Sequence, residues 1–187
     1  MTKRDAILDA ALELFAERGF HGTAVPLVAE KAGVGAGTLY RYFESKEALV
    51  NALYQRWKEE LGRALITDFP AGKPPREQFR DLWRRLFVFA AEHPRATRFL
   101  ELHHHGSYLD EASRRVERAL LGPMAGFVME AQRQQVLKEV QPELLISLVY
   151  GAFVGLLKGS WDGYFALTPE VIAEAERCMW EAIAIAI

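Results

Sequence analysis

The densest group of residues suited to chemistry lies between positions 36 and 46, where Thr38, Tyr40, Arg41, Tyr42 and Lys46 follow Ala36 and Gly37. Hydroxyls, a guanidinium and an ammonium at this density suit phosphates and base edges, and the small residues beside them let a backbone approach closely. Arg41 suits either a guanine or a phosphate. Tyr40 and Tyr42 fall on different faces of one short helix, so at least one of them is exposed, which favours binding over simple packing. A second group is His103-His104-His105. Consecutive helical residues point about 100° apart, so three in a row do not share one ion, and a metal site would need Glu101 with His105 or a partner from another helix. A histidine lining a pocket wall is the better reading. Gly33-Val34-Gly35-Ala36-Gly37 has the glycine density of a phosphate loop, but a dinucleotide fingerprint follows a strand and here a helix precedes it. No Ser-His-Asp order, paired-carboxylate loop or metal-ligand spacing supports catalysis. The expectation is a non-enzyme with no catalytic residue, metal or cofactor.

The elements that must position these groups are helical throughout, because apolar residues recur at helical spacing and no run alternates at period two. Ile7, Ala10, Ala11, Leu14 and Phe15 form one stripe, which Gly19 ends in the manner of a glycine just past a helix. A short helix over 26–32 has proline in its first turn and stops at Gly33. Val34-Gly35 makes a turn, a third helix covers about 36–43, and Ser45 is placed to cap a fourth over 46–66. Val25, Val28, Ala29 and Val34 can pack against Leu39 and Phe43, with Leu14 and Phe15 closing the unit from the first helix. A three-helix unit of this form exposes its last helix on one side, as a helix entering a major groove requires.

In this region the chain resembles the TetR family of transcriptional regulators, closely over about residues 4–55. The matching residues are Ile7-Leu8-x-Ala10-Ala11-x-x-Leu14-Phe15, Gly19-Phe20, Thr23, Ala29, Ala32-Gly33-Val34 and, most specifically, Gly37-Thr38-Leu39-Tyr40-Arg41-Tyr42-Phe43-x-Ser45-Lys46-x-x-Leu49. The resemblance implies an all-α protein with an N-terminal helix-turn-helix DNA-binding domain over 1–61 (motif about 24–43). A C-terminal helical ligand-binding and dimerisation domain over 62–187 follows, its last two helices making a homodimer. It implies base-edge approach by Ala36, Gly37 and Thr38, and phosphate contacts by Tyr40, Tyr42, Lys46 and Thr23. The function it implies is a ligand-responsive repressor, released from a palindromic double-stranded operator by a small hydrophobic effector. Three positions depart from the family pattern: Ala24 where a capping hydroxyl is common, and Gly35 and Ala36 for the frequent serine and lysine. A helical interaction module that no longer binds DNA is the competing reading.

Beyond the linker 68–75, with three prolines and a glycine, helices are expected over about 76–92, 95–105, 109–135 (kinked by Pro123), 142–165 and 169–185. Their aromatic residues suit an adaptable apolar cavity, and Trp83, Phe87, Phe99, His103, Met124, Phe127, Tyr150 and Phe153 are the candidate ligand-binding residues. No lysine or arginine lies on those stripes, which favours a neutral or cationic apolar ligand. Gly151, Gly155 and Gly159 recur every four residues on an apolar helix. Such a stripe suits a close approach of helices, either at a dimer interface, which is favoured, or between neighbours in one subunit.

Charge and cysteine usage bound the rest. The chain has 187 residues and a net charge of −2. Residues 1–50 hold six Lys/Arg (3, 4, 18, 31, 41, 46) against seven Asp/Glu (5, 9, 13, 17, 30, 44, 47). Non-specific attraction to DNA is therefore expected to be weak and salt-sensitive. The single cysteine, Cys178, is expected to be a buried small residue in a reducing cytosol. The longest apolar run, 144–157, is too short to span a bilayer, and no signal peptide is evident, so the expected setting is cytoplasmic with no membrane partner.

Overall fold

In the computed structural model, residues 2–102 and 107–186 are described, Leu102 by its backbone only. Among them are nine α-helices: α1 (Lys3–Gly22), α2 (Val25–Lys31), α3 (Ala36–Tyr42), α4 (Lys46–Ile66), α5 (Pro75–Glu92), α6 (Pro94–Leu102), α7 (Glu111–Arg133), α8 (Pro142–Trp161) and α9 (Pro169–Ile183). The β pairing among the described residues is one isolated bridge, Leu137 with Ala184.

Local chemistry explains the N-terminal elements. Thr2 and Asp5 exchange side-chain and backbone hydrogen bonds, a capping box that starts α1. Gly19, at φ 66°, interrupts α1 in a conformation that L side chains avoid. α2 begins at Ala24 with no side-chain cap and with proline in its first turn. Gly33, also at φ 66°, turns the chain out of α2 while the Val34 N–H donates to Ala29 O at 3.0 Å, the wrap expected of a glycine-terminated helix. Ser45 starts α4 by accepting the Ala48 N–H at 3.0 Å.

The chain forms two compact units: Met1–Gly62 with Phe89–Arg118, and Arg63–Val88 with Ala119–Ile187. The expected domains were contiguous, 1–61 and 62–187; the units are not. The reason lies in the first core. Helices α1 to α4 contribute Ile7, Leu8, Leu14, Phe15, Val28, Leu39, Leu49 and Leu53, and Phe99 and Leu100 of α6 belong to the same cluster. Phe99 lies 6.3 Å from Phe15 between ring centroids. The helix-turn-helix leaves an apolar flank of α1 uncovered, and α6 packs along it.

The second unit has its own aromatic core. Phe79, Trp83, Phe87, Phe153 and Tyr150 follow one another with ring centroids 5.1 to 6.1 Å apart. The Trp83 indole N–H donates to Ile172 O at 3.0 Å, joining α5 to α9, and the Arg76 guanidinium pairs with both Glu176 oxygens. Arg85 donates to the carbonyls of Ala64, Thr67 and Asp68, which binds the end of α4 to α5. A cation there complements the negative end of the α4 dipole.

α8 ends at Trp161, earlier than position 165, because Asp162 and Gly163 (φ 80°) turn the chain. Its 20 residues are enough, by length and composition, to cross a bilayer, which the shorter run 144–157 did not suggest. Leu145, Phe153 and Leu157 are buried, whereas Leu144, Leu148, Gly151 and Gly155 are exposed along its other side.

Candidate nucleic-acid interface

The second helix of the helix-turn-helix, α3, is held by one residue. Leu39 has no exposed surface and is part of the first unit's core. Fixing that position turns Ala36, Gly37, Tyr40 and Arg41 toward solvent, and Tyr40 and Tyr42 keep 50% and 46% of their surface exposed. Two large phenol-bearing side chains left this open on a seven-residue helix serve no packing need of this chain. Thr38 is half-buried. A Cβ placed on Gly35 or Gly37 would meet no atom of the protein within 4 Å, so the fold itself leaves the space above this turn open.

Lys46, the first residue of α4, holds its ammonium 4.3 Å from the centroid of the Phe20 ring. This cation–π contact orients the charge without neutralising it. Phe20 is stacked on its own account against Tyr108, with centroids 4.4 Å apart. In the sequence Phe20 is only one position of a pattern; its role as a platform for Lys46 depends on Tyr108, a contact across 88 positions that no local signal announces.

Thr23 corrects an expectation. It is 1% exposed, and its hydroxyl donates to Gly19 O at 2.9 Å and Leu14 O at 3.1 Å. Its side chain ties off the broken end of α1 and does not reach solvent, so it offers no phosphate contact.

The electrostatics nearby are those of internal ties. Lys31 pairs with Glu13 at 2.8 Å and Arg56 with Asp9 at 3.2 Å. Asp110 accepts the Ser113 N–H at 2.7 Å as the cap of α7, and that bond holds its carboxyl below the ordinary value despite an opposing burial effect. Burial pushes the Tyr54 phenol up, aided by the Glu117 carboxylate to which it donates at 3.2 Å.

The expected ligand-binding residues divide. Trp83, Phe87, Tyr150 and Phe153 come together in the second unit's aromatic core, Met124 is half-buried on α7, and Phe99 belongs to the first unit instead. His103, with His104 and His105, lies outside the described residues. Phe127 lines a cleft of about 280 Å³ in the second unit, with Phe69, Pro75, Gln78, Pro123 and Glu130 among its other walls. Among the described residues no three His, Cys, Asp or Glu side chains group as metal ligands. The three glycines divide too. Gly151 and Gly155 are exposed, with no atom within 4 Å of an added Cβ, whereas a Cβ on Gly159 would meet the Phe165 ring of the same chain at 2.8 Å. Gly159 is therefore a close contact within the subunit. Cys178 is exposed on α9, not buried as expected, because it falls on the side of that helix opposite Glu176 and Ile183.

A compact helix-turn-helix with an exposed, tyrosine-bearing second helix, in a chain whose regular elements are helices, defines a DNA-binding regulator. Residues 7–53 match the family model of bacterial regulatory proteins, tetR family, and residues 54–185 match that of the tetracyclin repressor-like C-terminal domain. The chain belongs to the TetR family of transcriptional regulators, a family of DNA-binding proteins and not of enzymes. An uncharacterized HTH-type transcriptional regulator of Haemophilus influenzae is 25% identical over 179 residues, 96% of this chain and 94% of that one. The fatty acid metabolism regulator protein of Bacillus subtilis is 44% identical over 57 residues, 30% of this chain and 28% of that protein. A TetR family transcription regulator of Marinobacter aquaeolei has a solved structure that superposes with a TM-score of 0.87 at 28% identity, covering 98% of this chain and 96% of the other.

Proposed function

We propose that the protein is a homodimeric repressor that reads a palindromic operator through α3 and is released by a small apolar effector. The observation that carries this reading is the open surface of α3, where Tyr40, Arg41 and Tyr42 flank the uncovered Gly37 while Leu39 alone anchors the helix. Tyr40, Tyr42 and Lys46 hold phosphates and set the register; Thr38, with Ala36 and Gly37, meets base edges. Two copies place their recognition helices about 34–36 Å apart, one turn of DNA.

The dimer reading is supported by α8, whose exposed side carries Leu144, Leu148, Gly151 and Gly155. Small residues between leucines allow close helix approach and supply apolar area that one subunit leaves uncovered. Leucine at Gly155 is expected to yield monomer in sedimentation; an intact dimer of unchanged stability would remove this surface from the interface. The effector reading is supported by the cleft beside Phe127, where apolar walls predominate and no lysine or arginine lines the space. The Glu130 carboxylate at its edge is already paired with the Arg133 guanidinium at 2.6 Å, so the apolar walls set the preference for apolar compounds. Binding that differs between two conformations would lower DNA affinity.

The test of the reading begins with selection of a tight duplex from randomised double-stranded DNA. Lys46→Ala should then weaken binding to all duplexes alike and reduce the salt slope by about one. Thr38 variants should change which duplex is preferred. Failure of the chain to select any duplex would leave only the interaction-module reading. Phe127→Trp should blunt release by apolar compounds and leave affinity for the duplex nearly unchanged; a response confined to polyanionic compounds would overturn the effector reading.

A further inference from the structure

The first turns of α4 are gripped from outside the helix-turn-helix by the segment that leads into α7. Asn51 is only 4% exposed, and its amide makes every hydrogen bond open to it. Its Nδ2 donates to Glu47 O at 2.9 Å and Tyr108 O at 2.8 Å, and its Oδ1 accepts from the Asp110 N–H at 2.9 Å and the Ser113 hydroxyl at 2.7 Å. One turn later Gln55 donates to the same Ser113 Oγ at 3.0 Å and to Asp110 Oδ1 at 3.3 Å. Tyr108 therefore reaches α4 twice. Its carbonyl holds Asn51, and its ring stacks on Phe20, over which the Lys46 ammonium sits.

We propose that Asn51 is a positioning residue for DNA binding: by clasping the Tyr108–Ser113 corner it fixes the first turns of α4, and with them Lys46 and the adjoining recognition helix. The proposal rests on the operator-binding reading of α3 and Lys46 given above. Asn51 and Ser113 are buried and touch no nucleic acid themselves, so any effect on DNA runs through position. The amide is also polarity-specific. It presents donors to two carbonyls and an acceptor to an N–H and a hydroxyl, so an apolar side chain of similar volume removes four hydrogen bonds at once from a largely buried corner. A mispositioned Lys46 and α3 lose more on a duplex that must be read in register than on one bound anywhere along its length.

The experiment measures binding of the full-length dimer and its variants to two fluorescent duplexes, the selected one and a random one, at a temperature where circular dichroism shows each variant fully folded. Asn51→Leu should weaken the selected duplex about tenfold or more and the random one less than about threefold. Ser113→Ala, which removes one bond of the same clasp, should shift the ratio in the same direction by about threefold. The double variant should be no worse than Asn51→Leu alone, because both act through one contact. Equal weakening on both duplexes would reduce Asn51 to a stabilising residue and overturn the proposal, as would a folded Asn51→Leu that binds within twofold of the parent. Should Asn51→Leu fail to fold, the Ser113→Ala ratio decides alone: an unchanged ratio overturns. Lys46→Ala in parallel separates the two failures. A lowered salt slope there with no effect at Asn51 sinks only the positioning role, and absence of any duplex binding by the parent sinks both.

Discussion

The aromatic residues of the two units are put to opposite use. In the first unit Tyr40 and Tyr42 stand about half exposed on α3, and little in the fold would notice their loss. In the second, Trp83, Phe87 and Phe153 are at most 6% exposed and stack in sequence, so that the fold depends on them. Both sets appear in the sequence as aromatics at helical spacing. What distinguishes them is whether the helix has other residues to bury: α3 is anchored by Leu39, whereas α5 buries a whole stripe of Phe79, Leu82, Trp83, Leu86 and Phe87. An aromatic that is spare on its own helix points to a partner; one that fills the stripe points to the core.

The contrast can be broken most decisively at Trp83. Trp83→Ala should cost about 3–5 kcal/mol in chemical denaturation, from lost area, a cavity and the lost indole bond to the Ile172 carbonyl. Tyr40→Ala should change stability by less than about 0.5 kcal/mol while abolishing tight duplex binding. Equal losses of stability in the two variants would erase the distinction. Thr23→Val comes next. It removes a buried hydroxyl that two carbonyls share, and should cost about 1–3 kcal/mol without changing the salt slope of DNA binding. A reduced slope with stability intact would restore Thr23 to the DNA face.

The smallest effect sharpens the picture by pH. Asp110 is held below the ordinary carboxylate value, chiefly by the Ser113 N–H. A lowered folded value means stability that is fully present above the unfolded value, near 4, and is lost as pH falls through the folded one. Asp110→Asn should therefore lower stability slightly near neutrality and flatten the profile below about pH 4, where the parent loses the same contribution. An acid limb identical in both proteins would show that the cap contributes nothing there.

Much of the first unit was legible because its signals are local. Gly19 and Gly33 adopt the left-handed conformation their places in the pattern require, Ser45 caps α4, and Ala24 does lack a cap. Thr23 misled because a hydroxyl that could bind phosphate is equally able to bond carbonyls four and nine residues back, and only burial decides between them. Phe99 misled for a related reason. An apolar stripe states that a helix is covered on that side but not by which partner, and α6 chose α1. Gly159 belonged by spacing to the stripe of Gly151 and Gly155, yet the turn after α8 brings Phe165 back onto it. The Tyr108 contacts with Phe20 and Asn51 had no signal at all, since they join positions separated by 57 to 88 residues without a shared pattern.

The crossing of the chain between its two units has a consequence for modularity. A cut after residue 61 follows the boundary that sequence alone suggests, but it strips Phe99 and Leu100 from the flank of α1 and removes every partner of Asn51 except Glu47. The severed piece would have to hold a recognition helix anchored by one leucine on a core missing a wall. Recombination with another second unit, in nature or by hand, would have to carry 89–118 along with 1–62 and accept three foreign junctions, inside helices α4, α5 and α7. A DNA-binding unit that draws its core from two separate stretches of the chain is not carried whole by a single cut.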